Sequence, residues 1–220
     1  MKKYGIGHTL RKLYAGQSLC RILMNRALTH ETIRGHVVDV GGGRSPDYFS
    51  YLQSESGTAV EVSDLSSSPI DFEKDPLPYA SGSIDTVLLC NVLEHIYRYT
   101  HLIGETHRIL RPDGRIIGFV PFWAGYHPDP HDYFRYTHEA LFKMFAEAGF
   151  KDVTITRIGG GPFIANFNTV VLSFPRLVRP LLYIPYALLD RLFLFLRPAS
   201  RVRFPLGYVF TASSTHASAR

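Results

Sequence analysis

Between His127 and Tyr136 the chain reads HPDPHDYFRY. Two imidazoles, two carboxylates, two phenols and one guanidinium fall within ten residues. An imidazole titrates near neutral pH, so His131 is a candidate general base, with Asp132 beside it in sequence and His127 as the second candidate. Arg135 offers a planar fork for a phosphate or carboxylate. Tyr133 and Tyr136 complete a candidate substrate-binding surface. The His/Asp content also raises the question of a metal. Pro128 and Pro130 forbid a regular helix, so His127 and His131 are not one turn apart on a helical face, and no catalytic metal is expected. A plainer role fits the same residues: Asp132 pairs with Arg135, the tyrosines pack, and the block is a structural plug.

What positions this block is an alternation of strands and helices. Residues 9 to 34 carry leucines and isoleucines at roughly helical spacing. His36 to Val40, Thr58 to Val62 and Ile84 to Cys90 read as strands, the last a continuous apolar run. Leu93 to Leu110 reads as a helix, stopped by the turn Arg111-Pro112-Asp113-Gly114. Arg115 to Val120 is the next strand. Thr137 is an N-cap for a helix that ends at Gly149. Val153 to Ile158 and Leu206 to Thr211 are the last strands. Such a pattern predicts an open α/β sheet, in which ligands bind outside the carboxyl ends of the strands.

The first of those ends is the run VVDVGGG, Val37 to Gly43. Three glycines after a β-branched strand mark a turn whose backbone must be approached closely, and a nucleotide-like ligand is expected across it. Gly41 and Gly43 would adopt positive φ there. Asp64, after the second strand, can accept both hydroxyls of a ribose. Asp71 lies in the following loop, and Asn91 and Glu94 follow the strand Ile84 to Cys90.

With 220 residues, 45% of them hydrophobic and 20% charged, the chain has the composition of a globular domain, long enough for a full core. Its two cysteines, Cys20 and Cys90, make neither a disulfide framework nor a four-ligand zinc site, and they fit a reducing cytoplasm. No signal peptide is expected at the basic N-terminus. The net charge of +5 is uneven. From residue 151 onward there are nine Lys/Arg against two Asp/Glu, a net of +7, and this is also the most apolar part. A nucleic-acid binder would set its charge on a polar surface, so no nucleic acid is expected. Basic and apolar together point to a membrane surface or an amphipathic anionic ligand, or else to a docked helical segment with ordinary arginines.

Taken in order, the strand-end segments resemble those of class I S-adenosylmethionine-dependent methyltransferases of the type 11 group. VVDVGGG resembles the first motif. SDLS, Ser63 to Ser66, resembles the acidic end of the second strand. DPLPYASGSIDTVLLCNVLEHI, Asp75 to Ile96, and ETHRILRPDGRIIGFVPF, Glu105 to Phe122, are similar to the central block and to the helix, turn and fifth strand. The resemblance implies a Rossmann-like, mostly parallel seven-stranded sheet with flanking helices. It implies S-adenosyl-L-methionine as cofactor. Asp39, Gly41 and Gly43 would line its methionine part, Asp64 its ribose and Asp71 its adenine, with Glu61 or Glu73 as alternatives for the last. Asn91, Leu93 and His95 would sit beside it. Ser45 and Pro46 depart from the usual first loop, and the span from Asp64 to Asp71 is too short for the usual helix. The segment Pro121 to Thr137 is similar to that of methyltransferases associated with cell-surface polysaccharides and glycolipids. It implies O-methylation of a glycan or lipid-linked acceptor. A free lipid such as a quinone or isoprenoid is the alternative acceptor. A non-catalytic partner protein that keeps the fold is the rival of a different class.

The expected organisation is an N-terminal helical segment, 1–35, before a methyltransferase domain, 36–220. The latter carries an apolar, basic helical insertion at 162–205. Pro185 to Arg197 reads as a helix, with Pro185 in its first turn, apolar around most of its circumference. It is too short and too broken by Pro180, Pro185, Asp190 and Arg191 to span a bilayer. It needs cover, as a lid, a homodimer interface, a hairpin packed on the sheet, or a peripheral membrane contact through 176–203. In that last case Arg176, Arg179, Arg191, Arg197, Arg201 and Arg203 would meet anionic lipid, at the cytoplasmic face of the membrane.

Overall fold

In a computed structural model of the protein, residues 4–43, 46–63 and 70–214 are described. Two helices open the chain, α1 (Ile6–Tyr14) and α2 (Leu19–Leu28). Strands β1 (Thr32–Ile33), β2 (His36–Val40), β3 (Gln53–Ser54), β4 (Ala59–Ser63) and β5 (Ile84–Cys90) follow. Then come α3 (Tyr99–Ile109), β6 (Leu110–Pro121), α4 (His138–Glu147) and β7 (Phe150–Gly159). Helices α5 (Pro162–Val170) and α6 (Arg179–Leu196) precede β8 (Pro205–Ser214). Strands β1 and β3 form a small parallel pair.

Six strands make the main sheet, in the order β4-β2-β5-β6-β8-β7. The first four pair in parallel, with Val38 opposite both Glu61 and Val87, and Val87 opposite Ile116. β8 runs against β6: Leu206 O accepts the N–H of Phe122, while Gly118 lies under the Phe210 ring. The sheet is therefore mixed, and among the described residues it has six strands where seven were expected. Its centre is apolar on both faces. Val37, Val38 and Val40 on β2, Val87, Leu88 and Leu89 on β5, and Ile116, Ile117 and Phe119 on β6 are buried. A strand covered on both faces reads as a continuous apolar run, which is why β2 and β5 have the expected bounds.

Three expectations are corrected. The N-terminal helical run is two helices and then the strand β1. The segment 93–110 is a 3₁₀ turn, Leu93–His95, and then α3 from Tyr99; Arg111 to Gly114 is an irregularity inside β6, with Asp113 at φ +62°. The apolar helix begins at Arg179, so that Pro180, not Pro185, is its first-turn proline and Pro185 lies inside it. The N-cap was legible: Thr137 Oγ1 accepts the Ala140 N–H at 3.2 Å.

Two compact units divide the chain. One comprises residues 1–27, 121–125 and 157–208, the other 28–120, 126–156 and 209–220. In the first, α6 packs against α1 and α5. Asp190 on α6 is buried and accepts the N–H groups of Gly161, Phe163 and Ile164 at 2.7, 3.1 and 3.1 Å. It is the N-terminal cap of α5, supplied from a different helix. Arg179 is buried as well and donates to the Phe174 and Leu172 carbonyls, which removes it from the expected lipid-facing arginines. The opposite face of α6 is exposed: Leu181, Ile184, Leu188, Leu192 and Phe195 follow one helical stripe, with Leu177 just before it. Among the described residues no helix is long and apolar enough to cross a membrane.

In the second unit, α3 anchors the loop that leads into β5. Glu105 accepts the Leu77 N–H at 2.8 Å, and Arg108 pairs with Glu105 and donates to the carbonyls of Leu77 and Tyr79. These bonds fix where β5 starts, and hence the register of the strand whose far end carries Asn91.

Candidate functional site

Asp39, next to last in β2, has a fully buried side chain that accepts the hydroxyl of the buried Tyr48. The glycine turn follows. Gly41 and Gly43 have φ of +78° and +67°, as the sequence leads one to expect. Gly42 carries the tighter restriction: a Cβ there would fall 2.0 Å from Asp39 Oδ2, and at Gly43 it would meet nothing within 4 Å. The turn thus closes down on its own carboxylate at the middle glycine and leaves its backbone approachable at the third.

At the end of β5, Asn91 adopts φ +56° and donates its N–H to Phe119 O at 2.9 Å. The 3₁₀ turn Leu93–His95 follows, with Leu93 and Glu94 buried. The HPDPHDYFRY block is fastened to this turn by its backbone. Tyr133 and Phe134 donate their N–H groups to Glu94 O at 2.8 and 3.3 Å, and His95 Nδ1 bonds to the His131 carbonyl. Tyr136 is buried, and its hydroxyl donates to Leu93 O at 3.1 Å. Burial pushes that phenol well above its ordinary pKa. Tyr136 therefore bolts the block to the turn from inside, while Tyr133 stays half-exposed.

The side chains gather differently from their order in sequence. Asp132, with 1% of its side chain exposed, is gripped by both terminal nitrogens of Arg135 and accepts the backbone N–H of His127 at 2.9 Å. The Arg135 guanidinium, and then that N–H, hold the Asp132 carboxyl down to about 2, so it stays ionised at working pH. No Asp132–His131 dyad forms: the imidazole close to Asp132 is that of His127, with Nδ1 3.6 Å from Oδ2. The His131 ring is exposed and lies against Tyr133. Arg135 is committed to Asp132, so it shapes the block from within. The pairing of Asp132 with Arg135 is the one that the plug reading expects.

Among the cofactor candidates, Asp39, Gly41, Gly43, Asn91 and Leu93 lie at the carboxyl ends of neighbouring strands β2 and β5. Asp71 is turned into its own loop, accepting the Glu73 N–H and pairing with Lys74, both at 2.9 Å. Lys74, first, and the Glu73 N–H hold its carboxyl below the usual range. Glu61 bonds to His36, and Glu73 accepts the Tyr97 N–H. Asp64 lies outside the described residues. Two residues escaped the sequence reading, and a third that it named has partners it did not foresee. Gly42 could have been found, since it is one of three glycines, but Tyr48 carries no local signal for a partner nine positions earlier. The third is Glu94 in its present company. Its carboxylate is fully buried and faces two imidazoles: Oε1 is 3.8 Å from Nε2 of both His95 and His127.

Comparison with known proteins bears directly on this strand-end arrangement. Residues 39–118 match the family described as a methyltransferase domain. An uncharacterized methyltransferase of Mycolicibacterium gilvum is 30% identical over 116 residues, covering 46% of this chain and 45% of that protein. One of Mycobacterium sp. strain KMS matches at the same identity, over 46% and 44%. The matched region is thus less than half of the length of these curated relatives. Solved structures share the fold at low identity. The [4+2]-cyclase SpnF superposes with a TM-score of 0.54 at 14% identity, over 96% of this chain and 93% of that one. Phosphoethanolamine N-methyltransferase 2 of Haemonchus contortus, in complex with S-adenosyl-L-methionine, gives 0.56 at 13%, over 98% and 58%. A 1,6-didemethyltoxoflavin-N1-methyltransferase of Burkholderia thailandensis, with bound 1,6-didemethyltoxoflavin and S-adenosylhomocysteine, gives 0.51 at 19%, over 94% and 78%.

Proposed function

We propose that the protein is an S-adenosylmethionine-dependent methyltransferase acting on an oxygen of a glycan or glycolipid precursor. The observation that carries this reading is the match of residues 39–118 to a methyltransferase domain, laid over a glycine turn that closes on a buried carboxylate. In this reading Gly41 and Gly43 open the backbone of the turn to the cofactor, Asp39, Asn91 and Leu93 lie at the strand ends beside it, Asp64 would take the ribose, and Asp71 would reach the adenine only by leaving Lys74. When bound, S-adenosylmethionine supplies an activated methyl group on a sulfonium. The chain's own work is to hold the acceptor in line and to take its proton. Orientation of this kind can account for ~7–11 kcal/mol of a barrier, and a positioned base for ~10²–10⁴-fold in rate. In this reading His131, exposed and outside the Asp132–Arg135 pair, receives the hydroxyl proton. Tyr133, with Tyr97 and His131 against its ring, is the surface on which a sugar stacks.

The polar, aromatic character of the 127–136 block favours a glycan part in the acceptor over a free quinone or isoprenoid. The exposed stripe on α6, flanked by the exposed Arg176, Arg191, Arg197, Arg201 and Arg203, favours a lipid-linked one, met at the cytoplasmic face of an anionic membrane. Fold likeness by itself does not assign a reaction, since a cyclase shares this architecture, so a non-catalytic or differently reacting protein is the rival. Calorimetry with cofactor-free protein tests the first step. S-adenosylhomocysteine should bind, and Gly42→Ala should weaken binding at least tenfold; no binding by the wild type would overturn the reading. Incubation with methyl-labelled cofactor and fractionated envelope extract then reads whether label enters glycan, apolar lipid or nothing.

A further inference from the structure

Glu94 is the least satisfied charged group in the described part of the second unit. It has no exposed surface, and neither carboxylate oxygen has a hydrogen-bond partner. A buried ionised carboxylate is costly unless a cation or strong donors compensate it. The neighbours facing it are two imidazoles, both presenting Nε2 to the same oxygen, Oε1, at 3.8 Å. The rings of His95 and His127 are nearly perpendicular, 86°, with centroids 5.3 Å apart. One ligand atom from each of the three residues falls within 4.8 Å of the others.

The far sides of the two rings settle what they can offer. A carbonyl only accepts, so the bond from His95 Nδ1 to His131 O puts the proton on Nδ1 and leaves a lone pair on Nε2, aimed at a carboxylate. A lone pair facing an anion is repulsive unless a positive group lies between them. His127 Nδ1 is 3.6 Å from Asp132 Oδ2 and 3.3 Å from Arg135 Nη2. Arg135 only donates, so in the observed geometry His127 Nδ1 accepts and the ring carries its proton on Nε2; a metal ion at Nε2 would take that place, with the proton moved to Nδ1 on the Asp132 side. Imidazoles whose outer nitrogen is held by a carbonyl or carboxylate are what metal-binding histidines look like.

We propose that Glu94, His95 and His127 form a binding site for one divalent transition-metal ion of the Zn²⁺ type. Two nitrogens and one carboxylate oxygen suit such an ion better than Mg²⁺ or Ca²⁺, which take oxygen ligands. Ligands about 2.1 Å from a tetrahedral zinc stand roughly 3.4 Å apart; each imidazole Nε2 is within a few tenths of an ångström of that spacing from Oε1, and the three ligand atoms lie within 4.8 Å of one another. Three protein ligands leave an open position. Its natural occupant is an oxygen, from water or from the acceptor hydroxyl; that last step alone rests on the methyltransferase reading. His131 gives the site its carbonyl and keeps its ring outside it, so the proposed base and the proposed ligands do not compete.

The test is binding of Zn²⁺ to chelator-treated, folded full-length protein, with neither cofactor nor acceptor present, so that it can succeed where methyl transfer fails. One ion per chain is expected by competition against a chromophoric chelator. Glu94→Gln and His127→Ala should each weaken binding at least tenfold, and His131→Ala by less than twofold. Co²⁺ in the wild type gives a reading that does not depend on any variant folding: a visible absorption band of a nitrogen-and-oxygen site, bleached by one equivalent of Zn²⁺. Absence of both Zn²⁺ binding and the Co²⁺ band would overturn the proposal and leave a protonated His127–Glu94 pair. Equal affinity of the wild type and Glu94→Gln would assign the ion to surface histidines and overturn it as well.

Discussion

Asp190→Ala isolates a capping group that comes from a different helix. The carboxylate is buried and accepts three N–H groups from the first turn of α5, those of Gly161, Phe163 and Ile164. Those donors have no partner within α5, because a helix leaves its first N–H groups unbonded. A hydrogen bond to a charged group contributes about 1.5–3 kcal/mol, and the three here share one carboxylate, so they do not add fully. Removing one side of a buried charged contact costs ~3–5 kcal/mol. The expected loss for Asp190→Ala is in that range, a fall in Tm of roughly 10 °C for a chain of this size. Asp190→Asn keeps one acceptor oxygen but turns an NH₂ toward an N–H, so it should lose about half as much. Urea unfolding followed by the fluorescence of Trp123 reads the right place. It is the sole tryptophan, and its carbonyl accepts the Asn168 amide from α5 at 3.1 Å. If Asp190→Ala stays within about 1 kcal/mol of the wild type, water is satisfying the three donors and the reasoning fails.

Acid should act through Asp132. Its folded carboxyl sits at about 2 against an ordinary 3.8, so its stabilisation is complete above the ordinary value and is lost as pH falls toward 2. The shift corresponds to about 2 kcal/mol. Asp132→Asn should therefore be less stable than the wild type at pH 7, with the gap closing between pH 5 and pH 2; a gap constant with pH would refute the assignment. At the membrane, flotation should recover the protein with vesicles of anionic lipid and not with neutral ones, and 1 M salt should release it, since screening there acts over ~3 Å. Replacing the exposed Leu188 and Phe195 by serine should abolish flotation without lowering Tm; flotation undiminished by that change would move the contact away from α6.

Elements that satisfy themselves locally were legible. β2 and β5 are continuous apolar runs because both faces are buried, and the Thr137 cap bonds only three residues ahead. Gly41 and Gly43 had to be glycines for a φ that belongs to their own backbone. The proline at position 185 misled because Pro180 serves the same first-turn role five residues earlier, and tertiary packing tolerates the second one inside α6. The 93–110 stretch misled in the opposite sense. Its helical pattern is real from Tyr99 onward, but Leu93 to His95 is pulled into a 3₁₀ turn by bonds to Tyr133, Phe134 and Tyr136.

From the sequence alone come the α/β alternation, the glycine turn after the first long strand, and the chemical types available in the 127–136 block. Each is a property of neighbours along the chain. Which of those groups meet was decided by tertiary structure. Asp132 and His131 are adjacent in sequence and point apart, while Glu94 and His127, 33 positions distant, face each other at 3.8 Å. Asp190 reads as a polar interruption of an apolar helix and becomes the cap of another helix 26 to 29 residues away. A side chain's period along the backbone determines which face it shares. What it touches across that face depends on the partner element, whose position is set by the burial of the whole sheet.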